Sequence, residues 1–264
     1  MSAIPPIGVA NSVSANFKFD PVDALEFALQ SRFELLQVYL NQDLLNDGTR
    51  LERIAKHVGD FHKVYFHSEG YLNQAFYDSD YRKKLFAFLD TVEAPNFIIH
   101  FDERENIDVL IRLVEQLGSD GPTIYLENYF QMEGEEAAEK NLKKYQALFT
   151  LSNNFGNPLF PVLDIPRLFH ENLGFAPEKS LEWCYQTLNF FGNRRIPIVL
   201  HLIDASATDQ ARASFTRLGE GYMPFDDIFA FIRKTRPTLE GIILEYEDKM
   251  NPLSSRDYIR ERFA

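Results

Sequence analysis

Thr123-Ile124-Tyr125-Leu126-Glu127 is a short β-branched and apolar run that ends on a carboxylate. Such a run reads as a strand of a parallel sheet, buried on both faces. A charge at its end must be paired, hydrogen-bonded or bound to a cation, because burying it alone is costly. The same form returns at Leu159–Asp164, Pro197–His201 and Gly241–Tyr246, with Asp164, His201 and Glu245 at or next to the carboxyl end. Upstream, strands are expected at Ile7–Ala10, Phe33–Leu40, Lys63–His67 and Phe97–Phe101, the last two carrying His67 and His100 near their ends.

Stretches of helical periodicity separate these eight runs, the pattern of successive βα units. Asp20-Pro21 reads as a helix N-cap and first helical residue, and Thr49-Arg-Leu-Glu52 as a capping box. Pro177 opens another helix and Gly192 closes it, as Gly118 closes the one before the fifth strand. The last helix is expected over Ser254–Phe263. Eight strands interleaved with helices over 264 residues, with no low-complexity linker, predict an α/β protein made of one (β/α)8 TIM barrel spanning 1–264. The structural alternative, an open doubly wound sheet, normally carries a glycine-rich phosphate turn after its first strand, and no GxGxxG follows Ile7–Ala10. The longest insertion, Ile203–Met223, falls after the seventh strand, on the face where barrels place their active sites, and is a candidate lid or substrate loop. The acidic stretch Gln131–Glu139 is read as a solvated loop.

Composition narrows the function. Lys and Arg number 27 against 39 Asp and Glu, a net charge of −12, with no basic cluster beyond pairs such as Arg194-Arg195 and Lys143-Lys144. Proteins that gain affinity by neutralising phosphates need clustered cations, so nucleic acid is disfavoured as a partner. The single cysteine, Cys184, excludes an internal disulfide and reads as a buried helix thiol beside Trp183. No apolar run reaches the ~20 residues of a membrane span, and the start lacks the layout of a signal peptide. A cytoplasmic location is the expectation; a homo-oligomer is neither required nor excluded.

In a barrel, the carboxyl ends of the strands converge on one mouth. Three carboxylates meeting there with no Lys or Arg at a strand end repel one another unless a cation sits between them. Glu127, Asp164, His201 and Glu245 are therefore the expected ligands of one divalent metal ion. Their oxygen-rich set with one imidazole suits Mn²⁺, Mg²⁺ or Co²⁺, and Zn²⁺ is compatible. Of the six histidines, His57 and His62 fall outside the strand ends and read as structural; nothing requires His170 at the site.

The order of these pieces resembles the xylose isomerase-like barrel superfamily, which holds sugar isomerases and epimerases and, more distantly, endonuclease IV. The resemblance runs through His67-Ser-Glu-Gly-Tyr-Leu-Asn73, Ile98-Ile-His100, Leu126-Glu127-Asn128, Val162-Leu-Asp164-Ile, Val199-Leu-His201-Leu-Ile-Asp204, Gly219-Glu220-Gly221 with Pro224-Phe225, and Glu245. It implies that Glu127, Asp164, His201 and Glu245 hold the ion, that Glu127 and Glu245 also act as an acid/base pair, and that His67 and His100 face a small sugar-like substrate. The expected reaction is isomerisation or epimerisation by removal and return of a proton beside a carbonyl.

The sequence departs from the family where the sixth-strand motif usually reads Asp-x-x-His; here it is Asp164-Ile-Pro-Arg167. Arg167 is not a metal ligand. Two roles fit it: clamping a substrate carboxylate or phosphate, or pairing with an acid of the site. The same departure counts against the alternative of an endonuclease IV-like phosphodiesterase, as does the lack of an Asp-x-His in Ala211–Arg217. A third alternative is a barrel that keeps the pocket as a binding subunit without turnover.

Overall fold

In the computed structural model, which describes residues 4–118, 121–129, 134–152 and 159–263, eight parallel strands close into a barrel: β1 (Ile7–Ala10), β2 (Leu35–Leu40), β3 (Lys63–Leu72), β4 (Asn96–Phe101), β5 (Thr123–Glu127), β6 (Leu159–Asp164), β7 (Ile198–Leu202) and β8 (Leu239–Leu244). Each pairs with its neighbours in sequence, and β8 closes the ring onto β1. Helices connect the strands on the outside, as parallel pairing requires. None of the described helices is long and apolar enough to cross a membrane.

All eight expected strands are present, with shifts at their ends. The third runs past His67 to Leu72 through a register irregularity between His67 and Tyr71. The second starts at Leu35, and the eighth stops at Leu244, so Glu245 and Tyr246 lie just beyond it. Asp20 caps the helix Pro21–Gln30, its carboxylate accepting from the Val22 amide at 3.0 Å. The expected capping box at Thr49 is not the start of its helix: Asp47 caps Gly48–His57 by accepting from Arg50 N at 3.1 Å, two residues earlier. Gly192 likewise does not end its helix, which continues to Arg194 and stops at a left-handed Arg195. The last helix begins at Asn251. Of the stretch read as an acidic loop, Gln131–Glu133 lies outside the described residues, and Glu135–Glu139 is the first turn of the helix Glu135–Ser152 rather than loop.

Side chains alternate faces along a strand, so every second residue points into the barrel. One interior layer consists of Ala10, Leu35, Tyr65, Ile98, Tyr125, Val162, Val199 and Ile243, a core cluster separate from the larger one between strands and helices. Two residues further along seven of these strands stand Gln37, His67, His100, Glu127, Asp164, His201 and Glu245. The strand period thus lifts the polar residues directly above the apolar interior, at the mouth. Below that interior, Glu240 Oε1 accepts from Tyr65 OH at 3.0 Å, Tyr125 OH at 2.5 Å and Lys63 Nζ at 2.5 Å, closing the base with a satisfied polar plug.

Ile203–Met223 holds two short antiparallel strands, Asp204–Ala205 and Phe215–Thr216. The buried Asp204 carboxylate ties the loop to itself: Oδ2 accepts from Gly219 N at 2.9 Å and Gly221 N at 3.0 Å. A Cβ on Gly221 would lie 2.0 Å from Asp204 Oδ1, and Gly219 has φ +83°, which is why glycines stand here.

Candidate metal centre

Glu127 is the centre of the mouth. It is 1% exposed, and three imidazoles converge on it. His67 Nε2 lies 2.8 Å from Oε2, His201 Nδ1 3.4 Å from Oε2 and His100 Nε2 3.6 Å from Oε1. Strand register brings these groups level, since His100 pairs with Glu127 across β4–β5 and Asp164 with His201 across β6–β7. Glu245 joins from β8, its Oε1 3.2 Å from His201 Nδ1.

Donor atoms of two triplets, Glu127–Asp164–His201 and His67–His100–Glu127, lie within 4.8 Å of one another, and both contain Glu127. Glu245 belongs to neither triplet and reaches the first through His201. It is held from β2, where Gln37 Nε2 donates to Glu245 Oε1 at 2.7 Å. Gln37 was missed in the sequence because an amide inside an apolar strand carries no charge signal; its interior parity, two residues past Leu35, was the available clue. Asn128 supports Asp164, accepting from its backbone N–H at 2.7 Å and donating to its carbonyl at 3.0 Å. His57 pairs with Asp60, and the His170 side chain caps a short turn by accepting from Asn172 N, so neither joins the cluster.

Arg167 stands in the site, paired with two of its acids. Its Nε lies 2.7 Å from Asp164 Oδ2 and donates to Glu127 Oε1 at 3.4 Å, while Cζ stacks 3.9 Å over the Tyr129 ring. The short helical turn Pro166–Phe169 that carries it is buttressed by the long loop. Gln210 Nε2 donates to Pro166 O at 2.7 Å and to Tyr222 OH at 2.8 Å, and Tyr222 OH donates to Phe169 O at 2.8 Å.

The carboxylates draw positive charge from their surroundings. Burial opposes ionisation of Glu127, but the charge of His201 and the hydrogen bond from His67 hold its carboxyl well below the usual range. Burial pushes Asp164 up to about 7, against Arg167 and with Glu127 and Glu245 adding to the rise. Burial disfavours a charged His201, yet Glu245 and Glu127 outweigh it and raise the imidazole to about 9. Burial keeps His100 neutral, pushed down to about 3.

These residues fit a divalent cation. Three carboxylates meet at the mouth against one guanidinium, an excess of negative charge that a divalent cation would offset. Neither ring nitrogen of His201 makes a hydrogen bond among the described residues, although it is fully buried and two carboxylates stand beside Nδ1. Atoms bound about 2.1 Å from a shared ion sit roughly 3–3.4 Å apart, the spacing of the His201 contacts. His67 stands alongside, with Nδ1 2.8 Å from the Ser68 carbonyl and Nε2 2.8 Å from Glu127 Oε2, so both its ring nitrogens are engaged.

No family model matches the chain, and no curated protein matches its sequence. Solved structures do match its shape. A D-tagatose 3-epimerase-like protein superposes with a TM-score of 0.67 at 15% identity, over 98% of this chain and 97% of that one. The IolI protein with a bound zinc atom gives 0.64 at 14%, covering 98% and 96%. The probable 3-DHS dehydratase AsbF of Bacillus anthracis gives 0.64 at 15%, covering 96% and 98%. At such identities the shared property is the fold, a closed (β/α)8 TIM barrel matched over nearly the whole of each chain.

Proposed function

We propose that the chain, as one domain over 1–264, is a divalent-metal-dependent isomerase or epimerase of a small sugar-like molecule. The observation that carries this reading is the Glu127–His201–Glu245 line: two carboxylates on strands from different sides of the barrel, flanking one imidazole at 3.4 and 3.2 Å. Glu127, Asp164, His201 and Glu245 would hold the ion, which when bound polarises a carbonyl and acidifies the adjacent C–H. The chain's own residues do the rest. Glu127, almost fully buried, and Glu245, with a side chain 26% exposed, present carboxylates able to take a proton at one carbon and return it. Gln37 fixes the Glu245 carboxylate by holding Oε1, and Asn128 fixes the backbone of Asp164. His67, His100, Tyr71 and Tyr129 form a ring-lined side of the mouth, with His100 4.6 Å from His67 and 4.8 Å from Tyr129 between centroids. Such a wall suits the C–H face of a sugar. The epimerase-like protein and the probable dehydratase among the similar structures support an enzyme that works on small molecules, the zinc atom on IolI supports a metal site, and a free Cys184 accords with the cytoplasm.

The test is proton exchange. Protein loaded with Mn²⁺ and incubated in D₂O with a panel of ketoses, ketose phosphates and keto sugar acids should incorporate deuterium beside the carbonyl, and Glu245→Gln, which removes an acid/base group and weakens one ligand, should abolish this. Metal-loaded protein that exchanges no proton across the panel would defeat the reading.

The second triplet favours one further reading, a pair of ions bridged by Glu127, with His67 and His100 as ligands rather than substrate contacts. Paired ions suit in-line displacement at phosphorus by stabilising both the attacking and the leaving oxygen. Elemental analysis separates the two: one ion per chain supports the isomerase, and two ions with cleavage of a model phosphodiester support the alternative.

A further inference from the structure

We infer that the substrate carries an anionic group, a carboxylate or a phosphate, and that Arg167 receives it through its two terminal amino groups. This rests on the reading of the mouth as a centre for small-molecule chemistry and adds the class of molecule: a sugar acid or sugar phosphate rather than a neutral sugar.

The guanidinium is oriented. Its Nε edge faces Asp164 and Glu127, and its plane lies over Tyr129 with Cζ 3.9 Å from the ring centroid. That arrangement uses one of the five N–H donors of the group. Nη1 and Nη2 make no hydrogen bond among the described residues. The side chain keeps 34% of its surface open, whereas the Glu127 beside it keeps 1%. The Nη donors are therefore left to a ligand on a side chain whose Nε edge and ring face are both fixed.

A neutral hydroxyl needs one donor, and a histidine or an amide would supply it. A planar fork with two parallel N–H groups matches two oxygens of a carboxylate or phosphate, and stacking on an aromatic ring holds the fork in place before the anion arrives. The aromatic face also removes water from one side of the cation and strengthens its attraction for an anion. The surroundings favour such a receptor, because a chain of net charge −12 otherwise repels an anionic ligand. The turn that bears Arg167 is tied to the long loop through Gln210 and Tyr222, so the receptor sits on a braced element.

The test is isothermal titration of the full chain, loaded with Mn²⁺ and, separately, stripped of metal. Three probes of equal carbon count are used: D-glucitol, D-gluconate and D-glucitol 6-phosphate. One of the anions should bind roughly tenfold or more tightly than glucitol, as charge-assisted bonds imply, and which anion prevails identifies the group. Arg167→Gln should erase the preference. Arg167→Lys, which keeps the charge that pairs with Asp164 and so guards the fold, should retain only part of it. Equal binding of all three probes, an undiminished preference in Arg167→Gln or Arg167→Lys, or binding of none of them overturns the inference. A chain that holds metal and glucitol but ignores charge defeats the anion receptor alone. One that prefers the anion yet binds no divalent ion supports the receptor and defeats the metal reading alone.

Discussion

Gln37 and Glu245 stand 208 residues apart in the chain and 2.7 Å apart in the fold, the amide of β2 donating to the carboxylate that follows β8. Partners of this kind, which orient a ligand without touching the ion, commonly change metal affinity or activity by about 10–100-fold when removed. Gln37→Leu keeps most of the side-chain volume and removes only the amide, so it should lower proton exchange within that range while costing the fold little. Comparing urea midpoints with exchange rates checks this; a variant that keeps full activity would show that Glu245 needs no such support.

Glu127 belongs to both ligand triplets. Glu127→Ala should therefore reduce the bound metal to well below one ion per chain, whereas His67→Ala, which touches one triplet, should not empty the other. Elemental analysis of the purified variants, with circular dichroism to confirm folding, reads the difference. Equal metal content in both variants would remove Glu127 from its central place.

A ligand that binds only the folded chain stabilises it by about 2.7 kcal/mol at a hundred times its Kd. In a chain of this length that corresponds to a rise in Tm of roughly 5–10 °C. Mn²⁺ in excess should produce such a rise, and chelation should reverse it. Asp164→Asn, which weakens the charge of the set, should reduce the shift. Scanning calorimetry with and without the metal settles the matter, and an unchanged Tm would count against a built cation site.

Cys184 lies buried on the inner side of the helix Pro177–Arg194, and burial pushes its thiol up to about 12. Thiolate, the reactive form, is therefore scarce at any pH below that value, and reagent has no access. At pH 8 an aromatic disulfide reagent should leave the native chain unmodified and label it fully after denaturation. Rapid labelling of native protein would contradict the packing of that helix.

Glu240 accepts hydrogen bonds from both barrel tyrosines and pairs with Lys63. Glu240→Ala removes the acceptor and leaves a half-buried cation and two buried hydroxyls to find water. A loss of about 2–4 kcal/mol is expected, measured by urea unfolding. A loss below about 0.5 kcal/mol, the scale of ordinary surface changes, would mean that the base of the barrel is wetter than its geometry implies.

The strands were legible because burial on both faces imposes long apolar runs, and a polar residue ending such a run stands out. That signal singles out Glu127, Asp164, His201, Glu245, His67 and His100, which the fold gathers at the mouth. It did not locate Gln37, whose meaning depends on which strand closes the ring beside β1. Nor did it show Arg167 paired with Asp164, because that pairing depends on the tight helical turn Pro166–Phe169 bringing residues three apart together. Helix ends were read less well. Thr49 and Glu52 have the chemistry of a capping box, but Asp47 stands two residues earlier and takes the position. Gly192 is permissive rather than obligatory as a stop, and Arg195 takes the left-handed conformation instead.

Tyr125 and Glu127 share one face of β5, one strand repeat or about 6.6 Å apart, and the same relation holds between Ile98 and His100, Val162 and Asp164, and Val199 and His201. The floor of the mouth is thus the ceiling of a close-packed stack, with no turn or glycine between the two layers. A centre mounted in this way has no hinge of its own. Whatever shifts to admit a substrate and release a product has to belong to the connecting segments above. The ligands then serve as a fixed datum, and changes of specificity can be written in the loops while the coordinates of the reactive groups stay where the barrel set them.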